Sequence, residues 1–135
     1  MTVVIDTHIF LAAAFWKGGG RRCWALCASR HYAIAVTDEI LEEYGRKADA
    51  LARRFPQINP KPFLRWVENE CPRFSPDPIG KQRSRDASDD IFLACALASR
   101  SRFLITRDPD LLALGKPFGI QIVTDEQFLK AAKDF

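Results

Sequence analysis

Apolar positions along this chain follow two alternating rhythms. Short aliphatic or β-branched runs stand at 2–5 (TVVI), 32–36 (YAIAV), 103–106 (FLIT) and 120–123 (IQIV). Continuous apolar runs this short, bounded by polar residues, read as strands buried on both faces. Longer stretches with helical spacing separate them, at 9–16, 22–30, 38–54, 63–71, 88–100 and 124–133, with a short helix starting at Pro109. Thr37 is placed as an N-cap with Asp38 and Glu39 in the first turn, and Thr124 with Gln127 forms a capping-box pattern. The glycines of KGGGRR at 17–22 predict a mobile loop with cationic flanks, and prolines punctuate 55–62 and 72–80. Strands that alternate with helices predict an α/β protein, a parallel sheet with helices on both faces. No internal repeat interrupts the pattern, and 135 residues suit a single domain spanning 1–135.

Composition changes this picture little. Hydrophobic residues make up 47% and charged residues 27%, the balance of a soluble globular domain. The longest uncharged apolar stretch, 9–16, is far short of the roughly 20 residues that a membrane span needs. The first residues carry no basic segment followed by a long apolar run, so the expected location is cytoplasmic, with no membrane association. Cys23, Cys27, Cys71 and Cys95 include no CxxC pair, and they read as buried free thiols rather than zinc ligands. The net charge of +3 permits a nucleic-acid partner without requiring one. Basic clusters at 17–22, 46–54, 81–85 and 100–107 lie beside acidic ones, an arrangement that suits a polyanionic substrate and also suits an ordinary mixed surface.

The acidic residues add more. In a parallel sheet with right-handed crossovers, strand C-termini and helix N-termini share one rim, where α/β proteins carry their chemistry. Asp6 follows the first strand, Glu43 lies early in the helix after the second, Asp90 starts the helix before the third, and Asp108 follows the third. Asp86 and Asp89 belong to the same acidic run as Asp90. The opposite rim is basic or neutral, with Arg30, His31, Ser101, Arg102 and Gly119. Each acid alone has an ordinary explanation: Asp6 at a helix start, Asp86 with Asp89 as a capping pair, Asp90 at a helix N-terminus, Asp108-Pro109 as an N-cap with proline at N1, and Glu43 with Glu42 on a solvated helix surface. Together they concentrate like charges that raise one another's pKa unless a cation lies between them. Oxygen donors select a hard ion, Mg²⁺ or Mn²⁺, and phosphodiester hydrolysis is the chemistry such an ion supports.

Five segments resemble a PIN-domain nuclease: VVIDTHIF at 3–10, TDEILEEY at 37–44, RDASDDIFLACALA at 85–98, FLITRDPDLLAL at 103–114 and GIQIVTDEQFL at 119–129. The branch they look most like contains toxin components of toxin–antitoxin systems, related to the VapC toxins. The resemblance implies a three-layer α/β/α sandwich with a sheet of about four or five strands. It also implies a Mg²⁺- or Mn²⁺-dependent endoribonuclease, an RNA substrate, a homodimer, and an antitoxin partner that blocks the acidic pocket. The family's acidic positions fall on Asp6, Glu43, Asp90 and Asp108. The spacing into the helix favours Asp90 over Asp89, and Thr106 keeps the hydroxyl before the last aspartate. Asp6, Asp90 and Asp108 would then hold the metal, and Glu43 would position a water or a second ion. Asp86, Asp89 and His8 would support them, and Arg21, Arg22 and Arg107 would meet phosphates. His8 departs from the family, which usually has asparagine there. That departure supports a rival reading, a PIN-like module that binds RNA or a protein without cutting. A receiver-type phosphotransfer domain is a weaker rival, because no lysine follows the last strand at a suitable place. Residues 46–71 form a helical insertion whose apolar face reads as core, with a surface for a partner or a second copy as the alternative.

Overall fold

A computed structural model describes residues 1–29, 32–76 and 89–132. Four strands form one sheet: β1 (Thr2–Ile5), β2 (Ala33–Ile34), β3 (Phe103–Ile105) and β4 (Gln121–Val123). Seven α-helices accompany them among the described residues: α1 (Thr7–Phe15), α2 (Gly19–Ser29), α3 (Asp38–Arg54), α4 (Lys61–Glu70), α5 (Asp90–Ala98), α6 (Pro109–Leu112) and α7 (Asp125–Ala132). The strand order is β2-β1-β3-β4, and every pairing is parallel. Val3 to Ile5 and Phe103 to Ile105 are buried without alternation. Both faces of the central strands are therefore covered, as their apolar runs predict.

The chain leaves β1 toward β2, then crosses to the other side of β1 to lay down β3 and β4. The crevice at the C-terminal ends of β1 and β3 is thus a topological switch point, where open α/β sheets place ligands. Helices α1 and α5, which begin beside that crevice, are apolar all round (THIFLAAAF and DIFLACALA). Their composition suits helices packed on several sides.

An aromatic cluster ties the helices together. Phe10 of α1 stacks face to face on Tyr44 of α3, with centroids 4.0 Å apart, and meets Phe63 of α4 at 5.3 Å and Trp24 of α2 at 5.8 Å. Phe63 and the buried Val67 place the apolar face of the 46–71 insertion in the core, as the sequence suggests. All four cysteines are free and buried, also as expected. Burial pushes the thiols of Cys71 and Cys95 up to about 12.

Three details differ from the sequence reading. Helix α2 begins at Gly19, inside the glycine tract, and only Gly18 stands outside it, at φ +152°. The reason is close packing: a Cβ on Gly20 would lie 2.8 Å from Cβ of Ala12 on α1. Glycine costs a helix about 0.5–1 kcal/mol relative to alanine, but here it lets two helices approach. β2 is only two residues long; beyond it, Val36 pairs in parallel with Arg73 instead of extending the β1 ladder. Helix α5 starts at Asp90 and ends at Ala98, shorter than the predicted 88–100.

Candidate active site

The rim of the sheet at the switch point is built by capping interactions that also aim carboxylates. Asp6 follows β1, and its backbone N–H donates to Ile105 C=O of β3 at 3.0 Å. Its Oδ1 accepts from the amide of Ile9 at 3.0 Å, capping α1. Its Oδ2 accepts from Oγ1 of Thr106, the residue after β3. Thr106 is fully buried, and its Oγ1 also accepts from the backbone N–H of Asp108 at 2.9 Å. One hydroxyl thus joins the two aspartates at the ends of the central strands. Asp108 caps α6, its Oδ1 accepting from Asp110 N–H at 2.9 Å. For Asp6 and Asp108 the capping explanation is therefore true, and it does not compete with a site, because each cap fixes where its carboxylate stands.

Glu43 comes from α3. Thr37 caps this helix as predicted, its Oγ1 accepting from Ile40 N–H at 3.2 Å. Oε2 of Glu43 accepts from Oγ1 of Thr7 at 2.8 Å, and Oε1 accepts from Arg46 at 3.2 Å. The adjacent Tyr44 donates its hydroxyl to Ile5 C=O, one residue before Asp6. The start of α3 is thus pinned to the end of β1 both in the core and at the surface.

These groups converge on one cavity of about 150 Å³, lined by Asp6, Thr7, His8, Leu11, Glu43, Lys47, Asp89, Phe92 and Asp108. Four carboxylates from four separate parts of the chain face it. Burial, the largest influence, raises the pKa of Asp6 above 3.8, and the negative charge of Asp108 adds to the rise. The Thr106 hydroxyl, the Ile9 amide and His8 oppose it. A charged carboxylate in this position calls for positive charge nearby.

The acidic run meets the cavity through one of its two adjacent aspartates. Asp89, not Asp90, lines the cavity. Asp89 occupies the N-cap position of α5 without making a cap hydrogen bond, and its Oδ2 is buried. Asp90 is the first residue of the helix, and successive residues there are turned by about 100°. The Cα–Cβ bonds of the two neighbours therefore leave the backbone in different directions. Asp86 lies outside the described residues.

The arginines are divided. Arg107 grips Asp125 at the start of α7 through two hydrogen bonds, Nε donating to Oδ1 at 2.8 Å and Nη2 to Oδ2. With Arg22 and Gly19, this pair lines a neighbouring hollow of about 410 Å³. Arg21 donates to Ala13 C=O at 3.0 Å and so braces α1 against α2. Sequence reasoning overlooked Lys47 and Asp125. Both carried a signal: Lys47 is four residues after Glu43, on the same helix face, and Asp125 follows the exit of β4 much as Asp6 and Asp108 follow theirs.

The Arg107 hydrogen bonds hold the Asp125 carboxyl below its ordinary 3.8. The pair therefore stabilises the fold fully above pH 3.8 and loses its contribution as pH falls through the lowered value. Asp125→Asn is expected to lower stability at pH 7 by about 1 kcal/mol, the partly exposed arginine limiting the effect. The gap to the parent should narrow below pH 3.8. Urea midpoints at pH 7 and pH 3 check this, and a gap that widened in acid would contradict it.

Fold and rim together define the class: an α/β protein with a parallel sheet and an acidic cavity at its switch point. The chain belongs to the PIN domain family, whose model matches residues 2–110. PIN domains are generally nucleases that act on nucleic acid and generally use divalent metal ions. No curated protein sequence matches the chain. No helix among the described residues is long and apolar enough to cross a membrane.

The donor chemistry of the cavity suits such an ion. Its acidic groups are all hard oxygen donors, the set that Mg²⁺ and Mn²⁺ take. Among the described residues, no three His, Cys, Asp or Glu side chains are gathered as a ready cage. Mg²⁺ does not need one, since it typically binds through one or two carboxylates with waters and substrate phosphate completing the shell.

Proposed function

We propose that this chain is a Mg²⁺- or Mn²⁺-dependent endoribonuclease. The observation that carries the reading is the convergence of Asp6, Glu43, Asp89 and Asp108 on one cavity at the switch point. Asp6, Asp89 and Asp108 would hold the ion directly or through water, and Glu43 would orient the attacking water or hold a second ion. The bound ion would supply an activated water and would stabilise charge on the phosphate oxygens. Thr106 fixes the spacing of Asp6 and Asp108, and Thr7 fixes Glu43. Lys47 stands on the cavity wall, and its ammonium would meet a phosphate. His8 lines the cavity too, and as the residue that departs from the family pattern it tunes the site rather than building it.

The physiological role proposed is that of the toxin in a toxin–antitoxin pair. The chain would act in the cytoplasm as a homodimer of single PIN-like domains. An antitoxin would bind over the acidic cavity. This part of the reading is supported by the resemblance of the segments around Asp6, Glu43, Asp90 and Asp108 to that branch of the family.

A second reading has its own observation. Lys47 brings a basic side chain to the wall of the acidic cavity, beside His8, as a module that binds without cutting would need. One experiment separates the two. The parent protein is expected to cleave single-stranded RNA with Mn²⁺, to stop in EDTA and to recover when Mn²⁺ is restored. Asp89→Asn should lose a hundredfold or more in rate, on the order of several kcal/mol of transition-state stabilisation. Asp90→Asn should stay within about tenfold of the parent. Cleavage that persists in EDTA would overturn the metal mechanism. Equal losses from both variants would overturn the choice of Asp89.

A further inference from the structure

A groove of about 540 Å³ leads away from the acidic cavity, within the roughly 300–1,000 Å³ typical of ligand sites. It is lined by His8, Ala12, Trp16, Arg107, Asp108 and Pro109. His8 and Asp108 belong to both hollows, so the groove begins where the cavity ends. His8, Ala12 and Trp16 follow one another at i, i+4 and i+8 along α1 and its C-cap. They form a single stripe about 12 Å long.

Trp16 closes that stripe. It is 44% exposed, as Phe118 (47%) and Trp66 (37%) also are, but of the three only Trp16 lines the groove that meets the acidic cavity. Its ring is held from behind: Phe55, the C-cap of α3, meets it edge to face at 5.8 Å, and Phe15 packs against it at 5.9 Å. The guanidinium of Arg54 sits over Phe55 at 5.9 Å, and the exposed Lys17 follows Trp16 in the chain. Arg107, itself about half exposed, forms part of the groove wall. An exposed, braced aromatic ring with cations beside it is the local chemistry of a single-stranded nucleic-acid platform, in which bases stack on aromatics and basic groups follow the backbone.

We infer that Trp16 is a base-stacking subsite for single-stranded nucleic acid, receiving a nucleobase a few residues from the phosphate held at the acidic cavity. This rests on the nuclease reading for the placement of that phosphate. The 12 Å stripe corresponds to roughly three or four nucleotides at about 3.4 Å each. The occupant is a nucleic acid rather than a peptide because the groove opens directly onto the cavity assigned to phosphodiester cleavage, has Arg107 in its wall, and ends at Trp16 with Lys17 next to it in the chain. Trp16 is a binding residue here and takes no part in bond breaking.

The test uses full-length protein carrying Asp6→Asn, so that a short single-stranded RNA stays intact, with fluorescence anisotropy for affinity and tryptophan fluorescence for stacking. RNA is expected to quench the tryptophan emission. Adding Trp16→Ala should weaken binding about 5- to 100-fold, the range for loss of one stacked base. Trp16→Phe should keep affinity within about threefold while losing most of the quenching. In the Asp6 parent, Trp16→Ala should raise KM for RNA and leave kcat nearly unchanged. Unchanged affinity in Trp16→Ala, or quenching that survives in Trp16→Phe, overturns the subsite. Because Trp16→Phe preserves the contact with Phe55, its quenching result stands even if the alanine variant misfolds. If the parent shows no Mn²⁺-dependent cleavage but RNA still quenches Trp16, the nuclease reading fails and the stacking subsite survives.

Discussion

Asp6→Asn should abolish Mn²⁺-dependent RNA cleavage and leave the protein folded. Asp6 is the most buried acid in the cavity, and its two oxygens are committed to Ile9 and Thr106. Asparagine is nearly isosteric. Its amide oxygen can still cap α1, and its NH₂ can donate to Oγ1 of Thr106, whose hydroxyl is free to rotate. What disappears is a full negative charge at the meeting point of β1 and β3. A metal that contributes several kcal/mol of charge stabilisation loses an anchor there, so a fall in rate of at least about a hundredfold is expected. The stability effect has the opposite sign. Burial raises the pKa of Asp6, so its ionised form disfavours the metal-free fold at neutral pH, and that cost grows as pH rises above 3.8. Without metal, Asp6→Asn should therefore melt at or above the temperature of the parent, and the difference should shrink in acid. Thermal melts in EDTA and single-turnover cleavage in Mn²⁺ check the two halves. A variant that melts well below the parent would mean that the carboxylate is structural.

Phe10→Ala carries the largest expected cost in stability. The ring is fully buried and touches Tyr44, Trp24 and Phe63, so it joins α1 to α2, α3 and α4. Removing a buried phenyl ring loses about 3–5 kcal/mol, against a total of about 5–15 kcal/mol for a typical domain. The melting temperature should fall by roughly 10 to 25 °C. The damage should reach the site as well. Tyr44 loses its stacking partner, and Tyr44 is both the neighbour of Glu43 and the donor to Ile5 C=O, next to Asp6. Phe10→Leu, which refills most of the space, should recover much of the loss. A melting-temperature drop of only a few degrees in Phe10→Ala would show that the cluster does not hold the helices together.

The two central strands were legible because residues 2–5 and 103–106 are apolar without alternation, a pattern that needs cover on both faces. The caps at Thr37 and Thr124 were legible for a local reason, since each hydrogen bond spans only three residues. The start of α2 was not. Three glycines read as a break, and the helix forms there because α1 presents Ala12 to Gly20. Trp16 was equally opaque: a tryptophan at the end of an apolar helix gives no sign of exposure until Phe55, from the far end of α3, is seen behind it.

The acidic run around Asp90 shows the division most clearly. The sequence by itself determined an α/β chain whose strand exits and helix starts carry acids, and that was enough to bring Asp6, Glu43 and Asp108 to one rim, because strand direction and crossover handedness leave little choice. It could not decide between Asp89 and Asp90. The two are adjacent and chemically identical, and their directions depend on the residue at which α5 begins its first turn. Phe92, Leu93 and Cys95 of that helix pack into the core. Tertiary structure puts Asp89 in the cavity wall, brings Lys47 there and pairs Arg107 with Asp125, and the comparison of Asp89→Asn with Asp90→Asn tests which aspartate serves the site. The physical reason is the same in each case: which residues line the rim follows from backbone topology, whereas which atom faces the cavity follows from helix phase and packing between segments far apart in the chain.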